Sequence, residues 1–333
     1  MRIGLDARLT RQMSVGMKTY ARELSARLPC VAPEFEYITF VRGGNFGWSE
    51  QVTLPLTLRR SRLDLVHFLS IYTPLMYPAP SIVTVHDLIH LHFPEQFTSK
   101  VGFYYQFSVR RACARAARVI TDDERTVTDL ERFLGVDAKK VRVIPLGVDT
   151  HFFDAQPFIA QRPYLLYVGN HRPHKEIDTL LQAWSSLPPQ YSVDLCLTGD
   201  DDFAGALQRY SRDNRRAIAL GDVSSEALAG YYAGAEALVH PALREGFGLP
   251  MLEAMAAGTA VIACADAVPG ILEPAALTFP GRDARALCER LASVLGDEGL
   301  RGRLVNEGRV LARTLTWDRC ARATADVYHE VLA

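Results

Sequence analysis

A chain of 333 residues, 48% hydrophobic, 23% charged and 9% aromatic, holds apolar material for roughly two ordinary domains, which excludes wholesale disorder. Its 37 Lys and Arg nearly balance 38 Asp and Glu, a formal charge of −1, so a bulk nucleic-acid binder is not expected. No apolar stretch approaches the ~18 residues that cross a bilayer, and the opening MRIGLDARLT lacks the apolar segment of a signal peptide.

Short apolar, β-branched runs alternate with helical patterns along the chain. Strands are expected at 2–5, 37–41, 65–68, 82–85, 119–121 and 141–144, with helices at 17–28, 102–117 and 124–134. The stretch 145–163, PLGVDTHFFDAQPFIAQRP, has three prolines and no periodicity and reads as a linker. A second series follows, with strands at 164–168, 193–198, 218–220, 237–240 and 261–264 and helices at 177–186, 204–212, 225–233 and 252–257. After residue 281 the pattern is helical, at 283–295, 298–311 and 318–332. Strand and helix in alternation predict parallel sheets covered on both faces. Two series predict two doubly wound α/β domains, 1–155 and 156–315, with a terminal helix at 316–333 that could return to the first. In such sheets ligands bind beyond the carboxyl ends of strands, at helix N-termini, so the expected site is a cleft between the domains.

The near-zero charge hides an asymmetry. Residues 1–155 carry 20 basic and 16 acidic side chains, a balance of +4, and residues 156–333 carry 17 and 22, a balance of −5. Arg59, Arg60 and Arg62, then Arg110, Arg111, Arg115 and Arg118, cluster in the basic half. Solvated helix faces explain such clusters, and so does contact with an anionic membrane surface. Six cysteines (Cys30, Cys113, Cys196, Cys264, Cys288, Cys320) without a C-x-x-C pair suggest reduced thiols in a cytoplasmic protein.

The segment HPALREGFGLPMLEAMAAGTAVI, 240–262, carries the strongest chemical signal. A strand ends at His240, a loop carries Glu245, Gly246 and Gly248, and a helix begins near Leu249 with Pro250 in its first turn. The glycines let backbone amides approach a ligand at the positive helix end. Glu245 and Glu253 are acceptor-only groups suited to vicinal hydroxyls, a sugar ring under one and a ribose diol under the other. Taken singly, each has a plain alternative: Glu253 as a complement to the helix dipole, Glu245 as an exposed loop residue. In 164–184, a strand runs into a loop with Arg172 and Lys175 before a helix opening near Glu176, a placement for phosphate. The alternative is a solvated lysine paired with Glu176 or Asp178. Gly16, at the first strand–helix turn, is placed for a pyrophosphate, although no G-x-G-x-x-G occurs.

His86 lies at a strand end, where it suits a cleft-facing hydrogen bond; His90 and His92 read equally well as packed histidines. No metal site is expected from the three, because H-E-x-x-H and a completing acidic cluster are missing. Asp200, Asp201 and Asp202 look like an Asp-x-Asp grip, but a helix cap is needed at that point. Without G-x-S-x-G or a Walker lysine, serine hydrolases and P-loop enzymes drop out.

Together these residues resemble the retaining glycosyltransferases of family 4, which have the GT-B fold, over almost the whole chain. The segment EGFGLPMLE followed by AMAAGTAVI is the most specific part. ARVITDDERTVTDLERFLGVDAKKVRVIPLGVD matches as well, and VGN-x-x-PHK and HDLIHLHFPE resemble the mannosyltransferase-like members. The resemblance implies that Glu245 contacts hydroxyls of the donor sugar, and that the amides of Phe247, Gly248 and Leu249 hold the sugar and distal phosphate. It makes Glu253 the partner of the ribose diol, Lys175 and Gly16 partners of the diphosphate, and His86 a contact near the anomeric carbon. The family arginine five residues before the lysine is Asn170 here, with Arg172 as the nearby cation, and the residue after the lysine is Glu176 where glycine or asparagine is usual. The implied reaction moves a hexose, with GDP-mannose favoured over UDP-hexoses, to a saccharide or lipid-linked acceptor at the cytoplasmic face of a membrane. It uses no metal or cofactor. The alternatives are a nucleotide-sugar 2-epimerase of the same architecture and a non-catalytic sugar-binding partner.

Overall fold

The structure, a computed structural model, describes residues 1–8, 13–44, 47–77, 80–199, 207, 209–211 and 214–333. Asp200, Asp201 and Asp202, most of the expected helix 204–212 and residues 9–12 of the first loop lie outside the described residues. The chain divides into two compact units, Met1–Gly147 with Thr316–Ala333, and Val148–Leu315.

In the first unit, β1 (Arg2–Asp6), β2 (Glu36–Phe40), β3 (Leu65–Phe68), β4 (Ser81–Thr84), β5 (Arg118–Thr121) and β6 (Val141–Val143) form one sheet in the order β2-β1-β3-β4-β5-β6. Every pairing is parallel. β3 and β4 are buried at every residue, the polar His67, Ser81 and Thr84 included, which is why they show no period-two alternation of apolar and charged residues. The helix Val15–Val31 opens on Ser14, whose hydroxyl accepts from the Met17 amide at 3.3 Å. The helix Glu124–Leu134 opens on Asp123 and closes on Gly135 at φ 64°.

The terminal helix Trp317–Leu332 packs on Val15–Val31 within this unit. Tyr328 reaches the sheet, 2.7 Å from Nδ1 of His67, whose Nε2 lies 2.8 Å from the Thr84 hydroxyl. Burial drops the His67 pKa to about 3, so a neutral ring joins helix to sheet. Gly147 makes the entry of that helix feasible, because a Cβ there would lie 2.1 Å from the Trp317 amide nitrogen.

In the second unit, β7 (Tyr164–Tyr167), β8 (Asp194–Thr198), β9 (Ala217–Gly221), β10 (Ala237–His240), β11 (Ala260–Cys264) and β12 (Ala276–Phe279) form another parallel sheet, in the order β12-β11-β10-β7-β8-β9. Strand order reverses direction between β7 and β10 here, and between β1 and β3 in the first sheet. Such reversal points open a crevice at the carboxyl ends of the strands. A core built around Leu165, Tyr167, Trp184, Leu195, Val239 and Ile262 fills this unit.

The structure differs from the sequence-based expectation in four places. β12 was not foreseen: it is an edge strand of only four residues, ALTF, of which Phe279 alone is buried. The π turn Ser49–Thr53 and the helix Leu54–Arg60 were also missed. The expected helix 102–117 is instead three pieces, Ser99–Tyr104, a π turn Tyr105–Val109, and Arg110–Arg115. Residues 148–155 lie in the second unit, where Phe152 meets the ring of Tyr232 edge-on at 5.9 Å.

Candidate active site

The second unit builds its site at the reversal between β7 and β10. β7 leaves the sheet at Tyr167, and the loop behind it is tied down by backbone and side-chain hydrogen bonds. The Gly169 amide donates to the Thr198 hydroxyl at 3.1 Å, and Tyr167 donates to the Asn170 carbonyl at 2.5 Å. Pro173–Lys175 then forms a single 3-10 turn. Glu176 follows at φ 52°, in the left-handed region that favours glycine or asparagine, which gives a steric reason for the family's usual residue there. Its carboxylate is fully occupied, accepting from Thr179 at 2.9 Å and from Arg282 at 3.0 Å.

The loop after β10 is fastened to this turn, since the Leu243 amide donates to the His174 carbonyl at 2.9 Å. That bond brings two distant side chains together. Lys175, 8% exposed, donates through Nζ to Oε2 of Glu245, and Nε2 of the buried His240 lies 3.2 Å from the same oxygen. Burial alone would raise the Glu245 pKa, but the Lys175 charge and His240 outweigh it and hold the carboxyl well below the usual carboxylate range. The plain readings of both residues therefore fail: Lys175 is neither solvated nor paired with Glu176 or Asp178, and Glu245 keeps only 19% of its side-chain surface.

Gly248 follows at φ 76° and caps the helix Leu249–Ala257, with Pro250 at its start. A Cβ at Gly248 would meet Met251 Cε at 2.2 Å and would sit 3.7 Å from Cγ of Glu245, so the glycine lets loop and helix close up against the carboxylate. The first amides of this helix, around Leu249, have no partner within the helix, and the buried Phe247 and Gly248 lead into them. An electropositive helix end beside an ionised Lys–Glu pair can hold phosphate on one side and hydroxyl groups on the other.

Glu253 lies farther along the same helix in a contrasting environment. It accepts a 3.0 Å hydrogen bond from the buried Tyr232, and burial pushes its pKa up to about 7, with Tyr232 and His151 only partly opposing. The two glutamates, expected as a matched pair, therefore differ in charge: one is held ionised by a cation, the other balanced between its two forms. Asn170 and Arg172 are exposed on the loop after β7, with the Arg172 amide donating to the Asn170 side chain at 3.4 Å.

In the first unit, His86 follows β4 and Asp122 follows β5, neighbouring strands, with Nδ1 of His86 2.6 Å from the Asp122 carboxylate. Burial works against an imidazolium, but Asp122 and the nearby Asp87 raise the ring's pKa above its usual value. Tyr20 meets the ring edge-on at 4.6 Å. Gly16 is the second residue of Val15–Val31, just inside its N-terminus. His90 and His92 bond to Tyr105 (3.1 Å) and Asp129 (2.8 Å), and no cluster of metal-ligating side chains occurs among the described residues.

Sequence reasoning missed three site neighbours. His240 was seen only as a strand end, although its position at a carboxyl edge marked it. Asp122 was visible in the run Asp122-Asp123-Glu124 at another such edge. Tyr232 gave no signal, because on a helix it reads as one more packed aromatic.

Residues 16–152 match a model described as Glycosyltransferase Family 4, and residues 162–297 one described as Glycosyl transferases group 1. The chain is 27% identical over 267 residues to O-antigen chain mannosyltransferase B of Escherichia coli, covering 74% of this chain and 70% of that protein. It is 31% identical over 183 residues to O-antigen chain mannosyltransferase RfbU of Salmonella typhimurium, covering 54% of this chain and half of the relative's length. Among solved structures, sucrose-phosphate synthase of Thermosynechococcus elongatus superposes with a TM-score of 0.77 at 22% identity, covering 99% of both chains. That likeness concerns the fold.

Proposed function

The chain belongs to glycosyltransferase family 4, and on that premise we propose that it transfers a hexose, mannose before others, from a nucleoside diphosphate sugar with retention of anomeric configuration. The observation that carries this reading is the Lys175–Glu245–His240 cluster at the strand-order reversal of the second unit. As the glycosyl–phosphate bond breaks, negative charge grows on the leaving diphosphate while the sugar becomes oxocarbenium-like. Lys175, Arg172 and the amides of Phe247, Gly248 and Leu249 stabilise that charge, the work a metal does elsewhere. Glu245 accepts from hydroxyls of the sugar, and Glu253 from the ribose diol.

Arg172 stands in for the family arginine at the position of Asn170. In the first unit, Gly16 contributes to the diphosphate site and His86 to the sugar. The departing phosphate takes the acceptor's proton at the face it leaves, so no protein nucleophile is needed, unlike the two-carboxylate scheme of hydrolases.

We favour GDP-mannose as the donor, with UDP-hexoses next, because two of the relatives are named mannosyltransferases. The acceptor is a saccharide or lipid-linked saccharide, met at the cytoplasmic face of a membrane through the basic first unit. A thermal-shift panel of GDP, UDP and their sugars, with and without EDTA, tests the donor assignment. The expected result is stabilisation by a nucleotide and its sugar that EDTA leaves unchanged; loss of the shift in EDTA contradicts the metal-free reading. Incubation with nucleotide sugar alone separates transfer from epimerisation, since only an epimerase converts the sugar without an acceptor.

A further inference from the structure

The run Ser99–Tyr104, Tyr105–Val109 and Arg110–Arg115 buries one side and exposes the other. Tyr105, Val109, Ala112 and Cys113 enter the core of the first unit. Lys100, Phe103, Phe107, Arg110 and Arg111 are exposed, at spacings of three and four residues along the run. Phe103 is 70% and Phe107 50% exposed, and their rings stack with centroids 5.6 Å apart and planes 10° from parallel. A single exposed phenylalanine is ordinary, but two stacked in water beside three cations form a patch that folding does not account for.

Charge on this segment is one-sided: residues 96–121 contain five basic and no acidic side chains. Two of the five are engaged in the fold. Arg115 lies 4.7 Å over the Tyr77 ring and donates to the Leu75 carbonyl at 2.8 Å, and Arg118 pairs with Glu330 at 2.7 Å. Lys100, Arg110 and Arg111 have no ion-pair partner among the described residues. Two aromatic side chains bury about 300–500 Å² between them, well short of the ~1,200 Å² of a stable protein interface. Exposed aromatics flanked by cations on a helix suit an anionic lipid surface, where rings enter the acyl boundary and cations meet phosphate.

We propose that the Phe103–Phe107 stripe is where this protein rests on an anionic bilayer. The inference gives a location to the membrane contact proposed above and rests on that reading only for its purpose, delivery of a lipid-linked acceptor.

Flotation with vesicles of phosphatidylcholine, with and without phosphatidylglycerol, tests it at low and high salt. The full chain is expected to float with phosphatidylglycerol vesicles at low salt, to be released by high salt, and to ignore pure phosphatidylcholine. Phe103→Ser with Phe107→Ser, and separately Arg110→Glu with Arg111→Glu, each lower lipid partitioning about tenfold or more. The thermal shift with GDP or UDP stays at the parental value in both variants, which shows that they are folded. Indifference of the parent to phosphatidylglycerol, or parental flotation by the phenylalanine double variant, overturns the proposal. So does a parental dimer in sedimentation velocity that the same variant converts to monomer, because the patch would then meet a second copy. Absence of any nucleotide-induced shift in the parent counts against the donor reading and leaves the flotation result standing.

Discussion

Lys175 and Glu245, separated by 70 positions in the chain, meet in one buried contact because the loops after β7 and β10 are hydrogen-bonded to each other. His240 shares the carboxylate oxygen that Lys175 reaches. A buried pair of this kind gives little net stability while intact, and removing one partner leaves an uncompensated charge. Its placement at the point where strand order reverses ties it to ligand binding.

Lys175→Ala is expected to cut turnover about a hundredfold or more and to lower the melting temperature, since Glu245 is left ionised and largely enclosed without its cation. Lys175→Ala combined with Glu245→Gln should recover melting temperature without recovering turnover. Steady-state kinetics beside thermal unfolding on the parent and these two variants checks this; return of activity in the double variant would show that the pair serves folding only.

Nucleotide affinity should depend on pH through Glu253, whose pKa of about 7 makes it an acceptor for two hydroxyls only above that value. Between pH 8 and pH 6 its ionised fraction falls about tenfold, and nucleotide affinity should fall by about the same factor. Glu253→Gln should bind weakly at both pH values. The sign for folding is opposite. A carboxyl raised above its unfolded value near 4.5 favours the native state when protonated, so its contribution to stability is lost as pH rises from about 4.5 to 7. Titration calorimetry and melting curves at matched pH values read the two effects separately.

The pH dependence of activity should also report His86. Asp122 raises that ring's pKa despite burial, so the stabilising contribution of the protonated ring is present below pH 6.5 and is lost as pH rises through the raised native pKa. Asp122→Asn removes the opposing charge and lets burial dominate. The alkaline limb of the kcat profile is then expected to move to lower pH. A profile unmoved by the substitution would remove Asp122 as a positioning residue for His86.

Much of the architecture was legible because parallel sheets buried on both faces impose apolar runs without alternation, as in Ala260–Cys264. Pro250 marked the start of its helix in the sequence. Ala276–Phe279 was not legible, because a four-residue edge strand that is only partly buried over most of its length gives too short a run. In the candidate site, Glu245, Glu253 and Lys175 stood out from type and spacing. Their charge states were not, since these depend on His240, Tyr232 and burial, which only three-dimensional packing supplies. The same holds for Asp122, whose effect on His86 needs the neighbouring placement of β4 and β5.

Gly147 provides a test of the fold apart from the chemistry. Its missing Cβ leaves room for the backbone of Thr316 and Trp317, which cannot yield as a side chain would. Gly147→Ala is expected to destabilise the protein by about 2 kcal/mol or more in denaturant unfolding. Unchanged stability would mean that the terminal helix does not enter as described.

The division of labour between the two glutamates is tested most directly by calorimetric titration of GDP and GDP-mannose, and of UDP and UDP-glucose, into Glu245→Ala and Glu253→Ala, with turnover measured alongside. Glu253→Ala is expected to weaken free nucleotide and nucleotide sugar alike, whereas Glu245→Ala keeps free-nucleotide affinity and loses chiefly turnover. Equal loss of free-nucleotide affinity in both variants, with turnover following binding alone, would contradict the assignment.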